Sequence, residues 1–511
     1  MNIRNYIKKF IFLMLPLITV LFFYGCSSKG TGNNELILGT TISTKSIDPA
    51  KDYCGWYTAR YGVSETLFKL DESMNIIPNL ALSYENIDKY TWKIILRDDV
   101  TFQNGEKMTP EKVKLSLERA IAKNNRAKET LNIKKIYTED SNLFIKTNEP
   151  HPTIINDLCD PFASIIDVDG TQDFDNAPIG TGPFKVERFD SIKSSYYSKY
   201  ENYWQGEPAL DKIKVIKVSD SDTLAMALQT GELDVAEGIS YSSLELFEKR
   251  KDYKIEGIDT SRVVVLYYNY KNKYLNDVNL RKSINLVINK EEYCEFLLGG
   301  AATPSSGAFP QSMDYSIDVD YSSKIDLEKA NEILDANGYI DIDKDGIREK
   351  DGEKIEIKLV TYSSRAELPI LAQAIQSDLK KIGIDMHVEV SDSIMDKLNS
   401  GDFDVALYSN VTASTGDGST YLNNLLKTNG DSNYGSYSDN QMDNLLNELN
   451  KEFDPNKRAE LEVQIQKKAI DEDAFNFIAH MKLNFVMKSN VMNFEVNPTD
   501  YYEINYKTEI K

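Results

Sequence analysis

With 59 basic and 80 acidic side chains in 511 residues, the chain carries a formal charge of −21. That balance excludes the basic faces that nucleic acid and anionic lipid surfaces require. Three histidines, four cysteines and the absence of Gly-x-Ser-x-Gly, phosphate-loop or Cys-x-x-Cys spacing remove the common hydrolase, nucleotide and zinc signatures.

Arg4, Lys8 and Lys9 precede an apolar run over 10–24. The run is short for a membrane span, which needs about 20 residues, and fits a secretory signal peptide. Gly25-Cys26 follows at once and resembles a bacterial lipobox, although Phe23 and Tyr24 are bulkier than that pattern prefers. On this reading residues 1–25 are removed and Cys26 becomes the acylated first residue. Residues 26–34 are its polar tether, and the mature charge is −24. Two or three acyl chains hold such a protein firmly, at about 0.8 kcal/mol per buried methylene. The alternative is a signal anchor or an ordinary cleaved signal. Cys54, Cys159 and Cys294 remain, an odd set read as structural thiols, with one pairing left open.

A first strand is expected over 35–41 and a helix over 58–68, after the aromatic segment Tyr53-Cys54-Gly55-Trp56-Tyr57. Trp92, Ile94 and Leu96 alternate as a strand, and Asn104-Gly105 reads as a hairpin turn. Thr109-Pro110-Glu111 opens a helix by cap, preset φ and favourable charge, with Val113, Leu117 and Ala120 on its buried face. Residues 178–183, PIGTGP, form a turn in which two glycines permit positive φ and two prolines remove donors. Strand 212–218 alternates at period two; a helix over 223–230 stops at Gly231. Residues 261–269 are apolar on both faces, as parallel sheets require. A helix is expected over 276–290 with an Asn276-Asp277 cap. Asp341-Ile342-Asp343-Lys344-Asp345-Gly346 invites a calcium reading, but loop position twelve holds Gly352, so a structural turn is the preferred one. Strands over 354–360, 386–390 and 403–408 alternate with a helix over 367–382.

The segments GTGPF (180–184), NYWQGEPALDKI (202–213) and ALQTGELDVA (227–236) stand in the order found in peptide/nickel-type extracytoplasmic solute-binding proteins (family 5) of ABC importers, and the chain resembles that family. Residues 78–120, the helix over 276–290, the 403–408 strand and NYGSYS at 433–438 extend the resemblance over about 35–502. It implies an α/β, two-lobe periplasmic-binding-protein-like fold, type II, in its large three-domain variant, with a hinge and an interlobe ligand cleft. The implied division is domain I at 35–77, 178–268 and 491–511, domain II at 78–177 and domain III at 269–490. The implied function is capture of oligopeptides by lobe closure and delivery to ABC permease subunits, without catalysis or cofactor. The alternative is a nickel or metal-chelate binding protein. A lipid-anchored monomer on the extracytoplasmic face of the cell membrane follows, with no nucleic-acid partner.

The resemblance also nominates ligand contacts. Trp56 and Tyr57 stand where the family places a cleft loop. In peptide-binding members the loop over 410–421 carries an acid for the ligand's amino group. Asp417 is its one acid, without the usual following Pro, and Tyr421 closes the loop. Arg365 lies beyond a strand end at a helix start, where a guanidinium fork suits a carboxylate. Metal ligands are left open: His387 and His480 read as structural, His151 has no partner at ligand spacing, and the 410–421 loop lacks the histidine that nickel-type members can offer there.

Overall fold

The computed structural model describes residues 34–318, 324–499 and 501–511. One large mixed sheet runs through the molecule. Its strands lie in the order Asp385–Val390, Glu356–Thr361, Val405–Val411, Tyr253–Tyr268, Phe475–Lys488, Val235–Glu237, Glu35–Thr40, Lys212–Lys217, Ser194–Lys199 and Phe184–Arg188; Ala302–Pro304 adds against Phe475–Lys488. Each half has a parallel core. Glu35–Thr40 pairs in parallel with Lys212–Lys217 and Val235–Glu237, and Glu356–Thr361 with Asp385–Val390 and Val405–Val411. This mixed α/β architecture is the periplasmic-binding-protein-like fold.

The two halves are joined by the long strands Tyr253–Tyr268 and Phe475–Lys488. They pair antiparallel from Tyr253↔Lys488 to Asp259↔Lys482, lose register, and resume at Val263↔His480. Thr260, Ser261 and Arg262 therefore oppose Met481 alone, a bulge that bends and twists the ribbon. Its backbone is satisfied: Thr260 Oγ1 donates to the Met481 carbonyl at 2.7 Å, and the Ser261 carbonyl accepts from Thr412 N and Oγ1 at 2.8 and 2.9 Å.

A separate four-stranded antiparallel sheet, Ala81–Asp88, Thr91–Leu96, Asn142–Thr147 and Ile133–Glu139, packs with the helix Pro110–Lys123. That helix starts as its sequence predicts: Thr109 Oγ1 accepts from Lys112 N at 3.3 Å and Pro110 occupies the first turn. Val113, Leu117 and Ala120 are buried.

Gly180 and Gly182 differ from expectation in their reason. Neither adopts a positive φ. A Cβ at Gly180 would lie 2.0 Å from the Val63 carbonyl oxygen, and one at Gly182 2.3 Å from that of Gly62. They are glycines because two backbones touch. Buried Gln103 bolts the contact. Its Nε2 donates to the carbonyls of Val63, Gly182 and Phe184 at 2.9, 3.1 and 2.8 Å, and its Oε1 accepts from Gly180 N at 3.1 Å.

The helix expected over 58–68 is instead Gly55–Arg60. Gly62, at φ +67°, ends it, and the chain leaves extended, with Glu65 bridging Ile165. The helix expected over 276–290 closes at Asn285. It is capped by Asp277, whose Oδ1 accepts from Asn279 N at 2.9 Å; a second short helix restarts at Lys290.

Candidate functional site: the junction between the lobes

Ligands of open α/β sheets sit beyond the carboxyl ends of parallel strands. In one half those ends lead into residues 41–57 and, after Val235–Glu237, into the helix Tyr241–Glu248. In the other they lead to Tyr362 and to residues 412–418. The two sets of loops meet. Burial and the Glu367 charge raise the Tyr241 hydroxyl above its usual pKa, while Arg365 and Arg262, across the junction, draw it down. At another point Asn156 Nδ2 donates to the Thr415 carbonyl at 3.0 Å. There Gly416 (φ +74°) lies against the hairpin of Phe68–Leu70 and Ile76–Pro78, where a Cβ would come 2.3 Å from the Met74 carbonyl oxygen.

Between these contacts each lobe presents aromatic rings and arginines. On the first, the half-buried Trp56 packs on Tyr53 (5.4 Å between centroids) and on Tyr501 (5.5 Å). The Trp56 indole N–H is buried without a hydrogen-bond partner among the described residues. Arg126 stacks its guanidinium over Tyr53 and Phe162 at 4.5 and 4.7 Å and forks onto Asp160 at 2.5 and 2.8 Å. Tyr57 packs against the apolar cluster of Leu36, Tyr61 and Phe184 and donates its hydroxyl to the Ser43 carbonyl at 3.2 Å. The loop rests on an ion cluster with side chains at most 3% exposed, Arg60 bonding Glu237 and Glu503 at 3.0 Å each. On the second lobe Tyr362 and Tyr408 pack at 5.2 Å. Burial raises both hydroxyls above their usual pKa, and Arg365 lowers both. Asn410 Nδ2 donates to the Tyr267 hydroxyl at 3.0 Å, and Tyr267 packs on Tyr434 at 6.1 Å.

The expected residues divide. Trp56 and Tyr57 stand in the first aromatic group. Arg365 is exposed, just before the helix Glu367–Lys380. Asp417 is at the junction, but its carboxylate is spent. Oδ1 accepts from Ser419 N at 2.9 Å and from the Ser419 hydroxyl; Oδ2 accepts from Arg458 Nη2 and Nε at 2.6 and 3.1 Å. Four donors leave no lone pair for a ligand ammonium. Tyr421 is buried in the helix Ser419–Leu426, with its ring edge on Phe309 at 6.4 Å; burial and the neighbouring Tyr267 hydroxyl raise it above its usual pKa. Cys26 lies outside the described residues.

Sequence reasoning missed Arg126, Tyr362, Tyr408 and Tyr501. Tyr408 lies in the expected 403–408 strand and the others in segments that read as loop or helix start, and in neither case does spacing distinguish a site residue from a packed one. The motifs it did find are scaffolding. The Glu65 carboxylate gathers them, accepting from Thr181 Oγ1 and Tyr203 Oη at 2.8 Å and from Trp204 Nε1 at 3.1 Å. Burial raises Glu65 above the usual carboxylate range, and these donors pull it back.

Among the described residues no histidine belongs to a cluster of three or more metal-ligating side chains. His480 is 4% exposed in the sheet, with Ser305 Oγ at 3.1 Å from Nε2. His387 is exposed on the sheet edge beside Asp385 at 3.5 Å. His151 pairs with Asp157 at 2.7 Å. Asp341, Asp343 and Asp345 do bring carboxylate oxygens within 4.8 Å of one another. The Lys354 ammonium already sits on that cluster, 3.1 Å from Asp343 and bonded to Asp345.

A family model describing the middle of the bacterial extracellular solute-binding proteins of family 5 matches residues 75–433. The chain belongs to that family. The nickel-binding protein NikA of Staphylococcus aureus is 30% identical over 493 residues, 96% of this chain and 97% of the relative. The crystal structure of a nickel ABC transporter protein from Bacillus halodurans superposes with a TM-score of 0.85 at 31% identity, covering 93% of this chain and all of that one. NikA of S. aureus in complex with Ni(L-His)2 superposes at 0.74 and 29% identity, covering 94% of this chain and all of its own. The glutathione-binding protein GsiB of Salmonella typhimurium is 29% identical over 294 residues, 55% of this chain and 57% of the relative. This family 5 protein is thus a non-catalytic, extracytoplasmic, membrane-associated component of an ABC importer. It captures a small solute by lobe closure and partners membrane permease subunits.

Proposed function

We propose that this family 5 protein captures nickel, or a similar divalent metal, as a chelate with a small carboxylate-bearing molecule such as histidine. The oligopeptide reading is the weaker of the two. The observation that carries the choice is the saturated Asp417 carboxylate, which removes the acceptor that a peptide's amino terminus would need. The lobes offer the exposed Arg365 and aromatic faces instead, which suit carboxylates and flat imidazole rings. With no histidine or cysteine cluster among the described residues at the junction, the metal would keep its small-molecule ligands. The whole-length similarity to nickel-binding proteins supports the same reading. Anchoring through Cys26 and the three-domain division belong to this proposal.

Thermal unfolding tests it with nickel alone, nickel with L-histidine, and di- to hexapeptides. A ligand bound only by the folded state stabilises it by about 2.7 kcal/mol at a hundredfold excess over Kd. A shift with nickel and histidine together is expected. A shift with peptides alone overturns the proposal.

A further inference from the structure

A cavity of about 290 Å³ lies within the first lobe. Its walls come from residues 59–79, 183–205 and 495–507, with none from the second lobe, so it is separate from the junction. It shares Glu495, Asn505 and Lys507 with a wider recess that reaches Ile255–Ile258, the strand leading into the bulge. Its size is at the lower end of small-molecule sites, about 300–1,000 Å³.

The lining has two unusual features. Ser64 is 2% exposed, and its hydroxyl has no hydrogen-bond partner among the described residues. Buried hydroxyls are normally bonded, so this one has a donor and lone pairs to offer. The second feature is a pair of opposite charges held apart. Lys69 and Glu495 both line the cavity and are mostly buried, yet no ion pair within 4.0 Å joins them. The Lys69 ammonium lies over the Tyr502 ring at 5.6 Å. The Glu495 carboxylate has one long bond, from Asn505 Nδ2 at 3.4 Å. Burial raises Glu495 above the usual carboxylate range; the nearby Lys69 charge pulls it down. Glu65, the other acid in the lining, accepts from three donors and also feels the Lys69 charge, so Lys69 faces two acids without an ion pair to Glu495.

Charges removed from water need a partner. We infer that this cavity is a second ligand site, which takes a free α-amino acid as its zwitterion: ammonium on Glu495, carboxylate on Lys69, with the Ser64 hydroxyl between them. A neutral ligand would leave both charges unmatched, and a simple ion would match only one. This inference is independent of the metal reading of the junction.

Calorimetry on the detergent-purified full chain, without metal, tests it with glycine, L-alanine, L-leucine and L-histidine. At least one should bind, with one molecule per chain. Its methyl ester and its N-acetyl derivative should each bind about tenfold more weakly or worse, because each lacks one charge. Glu495→Gln and Lys69→Met should cause similar losses while leaving any ligand of the junction unaffected. Trp56→Ala should leave the amino acid bound. The inference fails if no probe binds up to about 10 mM, if ester and N-acetyl derivative bind as well as the parent, or if Trp56→Ala abolishes binding. The derivative series uses the unmodified protein and decides the matter even if a variant fails to fold.

Discussion

Asp417 and Arg458 are only 11% and 8% exposed at the side chain, and the pair holds the junction loop to the helix Pro455–Asp471. Glu462, 1% exposed, accepts from Gly418 N at 3.1 Å and is pushed well above its usual pKa by burial and by Asp417. Arg458 bonds Asp417 and the Leu449 and Glu452 carbonyls and reaches Glu462 only through its charge. Removing one partner of a buried pair costs about 3–5 kcal/mol, because the other is left uncompensated. Asp417→Ala should therefore lose about 3 kcal/mol in urea unfolding while the affinity for the transported solute stays within a few-fold. Lost ligand affinity at unchanged stability would restore Asp417 as a ligand contact. His480 supplies a second prediction. Burial depresses its pKa from 6.5 to about 3. Below pH 6.5 the unfolded chain binds a proton that the folded chain refuses, so the stability His480 contributes is present above 6.5 and lost as pH falls toward 3. The slope is roughly 1 kcal/mol per pH unit. His480→Gln should flatten the stability profile between pH 6 and 4 relative to the parent, as read by urea midpoints across about two pH units.

The turn at residues 178–184 works through contact between backbones. Gln103, 9% exposed, makes four hydrogen bonds into it. Gln103→Ala removes the side-chain partner of the Gly180 N–H and of the Gly182 and Phe184 carbonyls, while the Val63 carbonyl keeps Gly182 N at 3.1 Å; each buried group left unmet costs about 1–3 kcal/mol. A loss of at least about 2 kcal/mol is expected in denaturant unfolding. Gly180→Ala should be worse, because the Val63 carbonyl is backbone and cannot swing aside. Equal stability of both variants with the parent would show that the turn is not a keystone. Much of this element scale was legible beforehand. The Thr109 cap, the Asp277 cap and the alternation over 212–218 depend on neighbours in the chain, so local chemistry decides them. The helix expected over 58–68 was not, because Val63 and Ser64 join a tertiary contact with the 180–184 turn instead of continuing the helix.

Across the whole molecule, the two halves are linked at the bulge over 260–262 and touch where Gly416 meets Met74. A bulky residue at Gly416 must push the hairpin away or distort a left-handed backbone at φ +74°. Gly416→Val should hold the lobes apart. Small-angle scattering should then show a larger radius of gyration with saturating ligand than for the parent, and affinity should fall about tenfold or more, since binding must pay for closure. An unchanged radius with parent-like affinity would place closure elsewhere.

The sequence by itself determined the family, the alternation of strands and helices, and the capped helix starts. These rest on local pattern and on motifs contiguous in the chain. It nominated Trp56 and Tyr57, which stand in the helix Gly55–Arg60, only through the family resemblance. Tertiary structure alone decided what the charged residues do. Asp417 meets Arg458 across 41 residues, and Glu65 meets Tyr203 across 138. A carboxylate is a ligand group or a structural strut according to how many donors the fold brings to it, and donors so distant leave no trace in local spacing.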